Sequence, residues 1–146
     1  MIVTQSLPLR GRLAFLLDRH GRAFDAGRLD AMLGDHAFPH PVYLEDRLLV
    51  LPGPDDLLAA LTAYRRLLTA RRVTAVTPHL ERFEERGDRA RAWVRWAHHG
   101  PDGTDPEGSR AVLYLRPAPD GRPLVEMTDH THLAVRDIKA WRPRAA

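Results

Sequence analysis

The chain has no cysteine, which excludes disulfides, thiol nucleophiles and thiolate metal sites. It has one lysine, Lys139, and two serines, Ser6 and Ser109. Neither serine has the context of a nucleophile elbow, and no phosphate-cradling loop or dinucleotide fingerprint occurs. Long apolar runs are missing as well. No segment approaches the length of a membrane span, and the N-terminus lacks the apolar core of a signal peptide. A cytoplasmic protein without a membrane partner is expected. What is present in quantity is arginine. The formal net charge is +3, but the arginines are spread through every element and interleaved with Asp and Glu. Nucleic-acid binders gather such charge into a patch or a basic helix, so no nucleic-acid partner is expected.

A chain of 146 residues is the size of one domain with a real core. That domain is expected to span residues 1–146, with its core at about 8–136. Ser6-Leu7-Pro8 has the form of a helix start, with proline in the first turn. Leu13, Leu16, Leu17, His20 and Phe24 follow at helical spacing, one stripe that includes a histidine. Gly21 weakens that helix and Ala26-Gly27 ends it. Residues 29–33 make a short second helix, stopped by Gly34. Residues 38–41 are extended, because a residue ahead of proline is pushed out of the helical region. Two short strands follow at 42–45 and 48–51. Pro54-Asp55-Asp56 then opens the longest helix, with acidic residues at its positive end and Arg71-Arg72 at its negative end. Leu57, Leu61, Tyr64, Leu67 and Leu68 share one of its faces.

After residue 73 the hydrophobic period changes from 3.6 to 2. Strands are expected at 74–85, 89–99, 109–116 and 124–135. They are joined by a tight Gly87-Asp88 turn, a long loop over 100–108 and a Pro119-Asp120-Gly121 turn. Helices first and an antiparallel meander after them argue an α+β fold, with three N-terminal helices packed on a curved, mostly antiparallel sheet. The tail at 141–144 is expected to fray.

The last strand is the most informative segment. Strand alternation puts Val125, Met127, Asp129, Thr131, Leu133 and Val135 on one face. Leu124, Glu126, Thr128, His130, His132 and Ala134 fall on the other. The first face is apolar with one carboxylate in its middle; the second carries a Glu and two His. In the first hairpin, a two-residue loop pairs Arg86 with Arg89, Glu84 with Arg91 and Arg82 with Trp93. Phe83, Ala92, Val94 and Trp96 then form the core side, with His79 and Glu81 among them.

Three segments carry a resemblance to a known family. Asp25-Ala26-Gly27-Arg28-Leu29-Asp30-Ala31-Met32-Leu33 looks like a helix-Gly-helix turn. Gly53-Pro54-Asp55-Asp56-Leu57 opens the long helix, and Asp120-Gly121-Arg122-Pro123-Leu124-Val125-Glu126 leads into the last strand. Together with the element order, over about residues 8–136, they make the sequence resemble the nuclear transport factor 2-like superfamily, the cone-shaped α+β barrel. Its SnoaL-like branch is the nearest look-alike. The resemblance implies a sheet curled around a mostly apolar pocket closed by helices, a small organic ligand, and a homodimer formed through the sheet. The SnoaL-like branch often carries a Glu-His-x-Asp run. Here it reads Glu126-Met127-Thr128-Asp129, with Met127 where the histidine stands, so only Asp129 is carried over.

The candidate catalytic residues are therefore Asp129 first, with His79, Glu81 or His20 assisting. Desolvation in a pocket would raise a carboxyl such as Asp129 and suit it to acid/base work; an ion pair at the pocket rim is the plainer alternative. Satisfied polar groups at the barrel mouth are the plainer reading of His79 and Glu81. A hydrogen-bonded core histidine is the plainer reading of His20. Leu17, Tyr64, Trp96 and Met127 are the expected pocket lining. His130 and His132, with His98 or His99, have a loose metal-ligand spacing, but the outer or dimer-facing side suits them better. No metal and no cofactor is expected. The expected function is binding of a small molecule, with an acid/base isomerase, dehydratase or cyclase as the alternative.

Overall fold

The computed structural model describes residues 8–143. Ser6 and Leu7 of the expected helix start, and Arg144 of the tail, lie outside the described residues. Helix α1 spans Leu9–Asp25 and buries Leu13, Leu16, Leu17, His20 and Phe24, the stripe that the spacing predicts. The short second helix is a 3-10 helix, Leu29–Asp35. Strands β1, His40–Leu44, and β2, Arg47–Leu51, form a hairpin. Helix α2 spans Pro54–Ala70, 17 residues and about 26 Å of rise. Its start is capped by the Asp56 carboxylate, which accepts from the Gly53 amide at 3.1 Å. Arg65 donates to the carbonyls of Phe24 and Asp25 at 2.9 and 3.1 Å. It thereby satisfies two orphan acceptors at the end of α1 and ties the two helices together.

The remaining strands are β3, Ala75–Arg86, β4, Arg89–Gly100, β5, Gly103–Pro117, and β6, Pro123–Leu133. One open six-stranded sheet results, in the order β2-β1-β6-β5-β4-β3. All its pairs are antiparallel except β1 with β6. One apolar core packs α1 against β4, β5 and β6, with Leu13, Val94 and Leu115 at its centre. A second, built on Leu44, Leu51, Leu57 and Leu133, joins the β1–β2 hairpin to α2 and β6.

Two expected segments differ. The loop expected at 100–108 is mostly strand: Gly100 pairs with Gly103 across a Pro101-Asp102 turn. Its Gly, Pro and Asp content masked a hairpin extension, not a loop. The tail expected to fray is packed instead. Trp141 joins the second core, and its carbonyl accepts from Arg47 at 2.8 Å. A 3-10 helix at Arg136–Ala140 brings it there.

Three one-residue bulges decide which side chains face inward. In β3, Leu80 pairs with Val94 but Arg82 with Trp93, leaving Glu81 as the extra residue. In β6, Glu126 is extra between the Val125–Leu115 and Met127–Tyr114 pairs. Thr131 is extra between the His130–Ala111 and His132–Arg110 pairs. Each bulge moves the following residues to the opposite face.

Candidate functional site

The sheet and the two helices enclose a cavity of about 180 Å³. Its walls are mostly aliphatic and aromatic, and five of the chain's eight histidines stand on them: His20, His36, His40, His98 and His130. That concentration makes the cavity the candidate site. Leu17, Tyr64, Trp96 and Trp141 are also on its walls, with Ser109 and Thr128.

The histidines are arranged as a row. His20, from α1, bonds through Nε2 to Asp35 Oδ2 at 2.8 Å, both side chains being buried. The His20 ring stacks on His36, with centroids 5.7 Å apart and 12° between planes. His36 meets His40 edge-on at 5.1 Å. His40 Nε2 bonds Thr128 Oγ1 at 3.0 Å, and His130 follows two residues along β6. The chain folds this way because the 3-10 helix ends directly beside β1, which pairs with β6 from Val42–Thr128 to Leu44–His130.

Burial sets the protonation of this row. It pushes His36 down to about 3, helped by repulsion from His40 and His20. It pushes His40 and His130 to about 4, the latter also repelled by His40. Burial lowers His98 too and raises the Tyr64 hydroxyl. His36, His40, His98 and His130 are therefore neutral at pH 7. Burial alone would raise the Asp35 carboxyl, but the hydrogen bond and charge of His20, with Arg19, outweigh it and hold Asp35 below the usual carboxylate value. Arg19 lies 3.2 Å from one Asp35 oxygen and Arg122 3.3 Å from the other.

Four buried polar atoms of wall residues make no hydrogen bond of good geometry within the protein: His40 Nδ1, His98 Nε2, His130 Nδ1 and the Tyr64 hydroxyl, with Ser109 beside Tyr64 and the Ala37 and Val125 backbone beside His40. Buried polar groups are nearly always satisfied, so four such atoms around one cavity single it out. His36 Nδ1 is spent on the Met32 carbonyl at 2.9 Å, which leaves Nε2 as an acceptor.

The structure places the expected site residues unequally. His20, Leu17, Tyr64 and Trp96 stand on the cavity wall. Asp129 does not: the bulge at Glu126 turns it outward, where it pairs with Tyr43 and Val112 in the sheet. Met127 is turned outward by the same bulge, into a shallow outer groove with Phe38 and Tyr114. His79 and Glu81 are exposed on the outer face. Glu81 is the bulge residue itself, and it pairs with Arg95 at 3.2 Å and with Arg110. The residues that sequence alternation assigned to the outer side, Thr128 and His130, are the ones that face the cavity. His132 is exposed, separated from His130 by the Thr131 bulge, so the two do not share a face. Among the described residues no group of three His, Asp or Glu is disposed to hold a metal ion. Sequence analysis missed His36, His40, Asp35 and His130 as site members. No periodicity reports a bulge, and the parallel β1–β6 pairing joins residues 86 positions apart in the chain.

This architecture is the nuclear transport factor 2-like fold. The chain is similar to ActVI-ORFA from Streptomyces coelicolor, with 16% identity, a TM-score of 0.64, and coverage of 88% of this chain and 99% of that one. It is also similar to a protein from Catenulispora acidiphila in complex with S-DNPA, at 14% identity and TM-score 0.64, covering 84% and 92% of the two chains. A chain named Rd1NTF2_04 with long sheet matches at 16% identity and TM-score 0.56, covering 84% and 99%. No family model and no curated protein matches the sequence. No described helix is long and apolar enough to cross a membrane.

Proposed function

We propose that the domain binds a small, largely apolar organic molecule of about one aromatic ring in the histidine-lined cavity. The observation that carries this reading is a cavity whose otherwise apolar walls carry five imidazoles and three hydroxyls. Ligand sites are concave, mostly apolar and furnished with a few placed polar groups. A dry cavity of about 150 Å³ holds benzene, so about 180 Å³ suits one substituted ring. The structural neighbour crystallised with S-DNPA supports ligand binding on this fold, without fixing which ligand. Trp96 and Trp141 on the wall supply the readout. One-ring compounds are expected to quench tryptophan emission and raise the melting temperature, and Ala111→Phe, which fills the cavity, is expected to abolish both effects. Quenching that survives Ala111→Phe in a folded variant would place the ligand elsewhere.

The His20–Asp35 pair favours a second reading, an acid/base enzyme of isomerase or dehydratase type. A carboxylate that holds one imidazole nitrogen leaves the other as a base. On this reading the acid/base role passes from Asp129 to His20, oriented by Asp35. A bound compound would be converted, and Asp35→Asn would stop conversion while leaving binding intact. Binding without conversion leaves the first reading standing alone.

We also propose a homodimer through the outer face of the sheet. Leu48 and Val50 on the edge strand are 51% and 46% exposed, and Tyr43 beside them is 37% exposed. Grouped exposed apolar side chains mark association surfaces. Light scattering at micromolar concentration should give twice the monomer mass, and Leu48→Glu with Val50→Glu should halve it. A monomeric wild type would refute the dimer.

A further inference from the structure

The cavity has a chemical imbalance. Its polar equipment is five imidazoles, the hydroxyls of Tyr64, Ser109 and Thr128, the indole N–H groups of Trp96 and Trp141, and no lysine, arginine, aspartate or glutamate. The groups that face the row are His20 from α1, His36 from the 3-10 helix, His40 from β1, His98 from β4, His130 from β6 and Tyr64 from α2. Two carboxylates act on the row from outside the lining: Asp35, already occupied by His20, Arg19 and Arg122, and Asp105, whose charge reaches His98. Nothing on the walls is available to balance a positive imidazole.

His40 bonds Thr128, His130 stands two residues further along β6 on the same cavity wall, and the two imidazoles repel one another when charged. In both, Nδ1 makes no hydrogen bond of good geometry. An anion placed between such groups reverses the sign of their interaction: each imidazolium would then gain a counter-ion in a low-dielectric site. A neutral ring has no comparable partner here, and a cation would meet no carboxylate.

Resting on the cavity-binding reading above, we propose that the ligand is a one-ring carboxylic acid. It is held as its carboxylate beside the His40–His130 pair, one of whose imidazoles takes up a proton from solvent as the ligand binds. The aliphatic and aromatic walls take the ring. The proton balance is one carboxylate and one solvent proton bound per chain.

Calorimetric titration of the full chain with benzoate, and with benzyl alcohol as its neutral isostere, tests this between about pH 6.5 and 8.5. Benzoate should bind one per chain, take up close to one proton, and weaken about tenfold per pH unit as pH rises, by proton linkage. Benzyl alcohol should bind more weakly than benzoate at about pH 6.5 and show no such slope. Proton uptake is read directly by repeating the titration in buffers of different ionisation enthalpy. His130→Gln keeps a hydrogen-bonding group but cannot hold the proton, and His40→Asn is the second variant should the first not fold. At least one should lose the uptake. Uptake kept by both folded variants, pH-independent benzoate binding, or preference for benzyl alcohol would each overturn the acid class while leaving the cavity reading intact. Failure of both compounds would overturn the acid class as well, and the wider panel of neutral rings would then decide the cavity reading separately.

Discussion

Stability to urea is expected to fall steeply as pH drops from about 7 to about 4.5, with the ligand-free protein unfolding well above the pH at which carboxylates alone would unfold it. His36, His40 and His130 are held at about 3, 4 and 4 in the folded chain, against about 6.5 when unfolded. The unfolded state therefore binds more protons than the folded state below about pH 6.5, and stability must fall with pH there. The contribution is fully present above 6.5 and is lost progressively as pH falls toward the folded values. At pH 5 the loss is about 2 kcal/mol for each of the three, or about 6 kcal/mol together. That is the same order as the whole stability of a small domain, about 5–15 kcal/mol. Denaturation at pH 7.5, 6 and 5 should give a slope approaching three protons, and His130→Gln should remove about one. A stability that stays flat between pH 7 and 5 would show that the row is hydrated and titrates normally.

The expected acid lability rests on His36 and His40, which no sequence pattern singled out, and on His130, which strand alternation put on the wrong face. The helical stripe of α1, the capped start of α2 and the Gly87-Asp88 turn were legible, because each depends on residues within a few positions of one another. The pairs Arg86–Arg89, Glu84–Arg91 and Arg82–Trp93 also stand as the turn predicts. Arg82 lies over the Trp93 ring at 4.8 Å. The register held until the Glu81 bulge and inverted beyond it, which carried His79 out of the core side and left Leu80 inside. The same happened twice in β6. The bulges at Glu81, Glu126 and Thr131 contain no glycine or proline to mark them, so Asp129 and His130 exchanged faces without any change in the pattern. The α+β architecture survives such inversions because it depends on element order. The site does not, because it depends on the face of single residues.

A strand-internal glycine provides the second large effect. Gly108→Ala is expected to lower the melting temperature by roughly 10 °C and to disturb the His98 end of the cavity. Three residues, Pro106, Glu107 and Gly108, stand opposite the single Ala97 between the Trp96–Ser109 and His98–Asp105 pairs. To close this bulge the backbone at Gly108 takes φ +37°, and a Cβ there would overlap the Trp96 carbonyl oxygen and lie 2.8 Å from His98 Cδ2. Alanine must therefore either displace β5 from β4 or push the His98 ring. Left-handed backbone costs a non-glycine residue about 1 kcal/mol, and forced overpacking about 1–3 kcal/mol. A total near 3 kcal/mol corresponds to roughly 10 °C in a domain of this size. Gly34→Ala is the control, since no atom lies within 4 Å of its added Cβ; its melting temperature should hardly change. Equal melting temperatures for the two variants would refute the close approach. Because Ser109 follows Gly108 directly and His98 touches it, Gly108→Ala should also weaken ligand binding, whereas Gly34→Ala should not. A loss of stability with binding retained would mean that the ligand sits toward His40 and His130 and makes no use of His98.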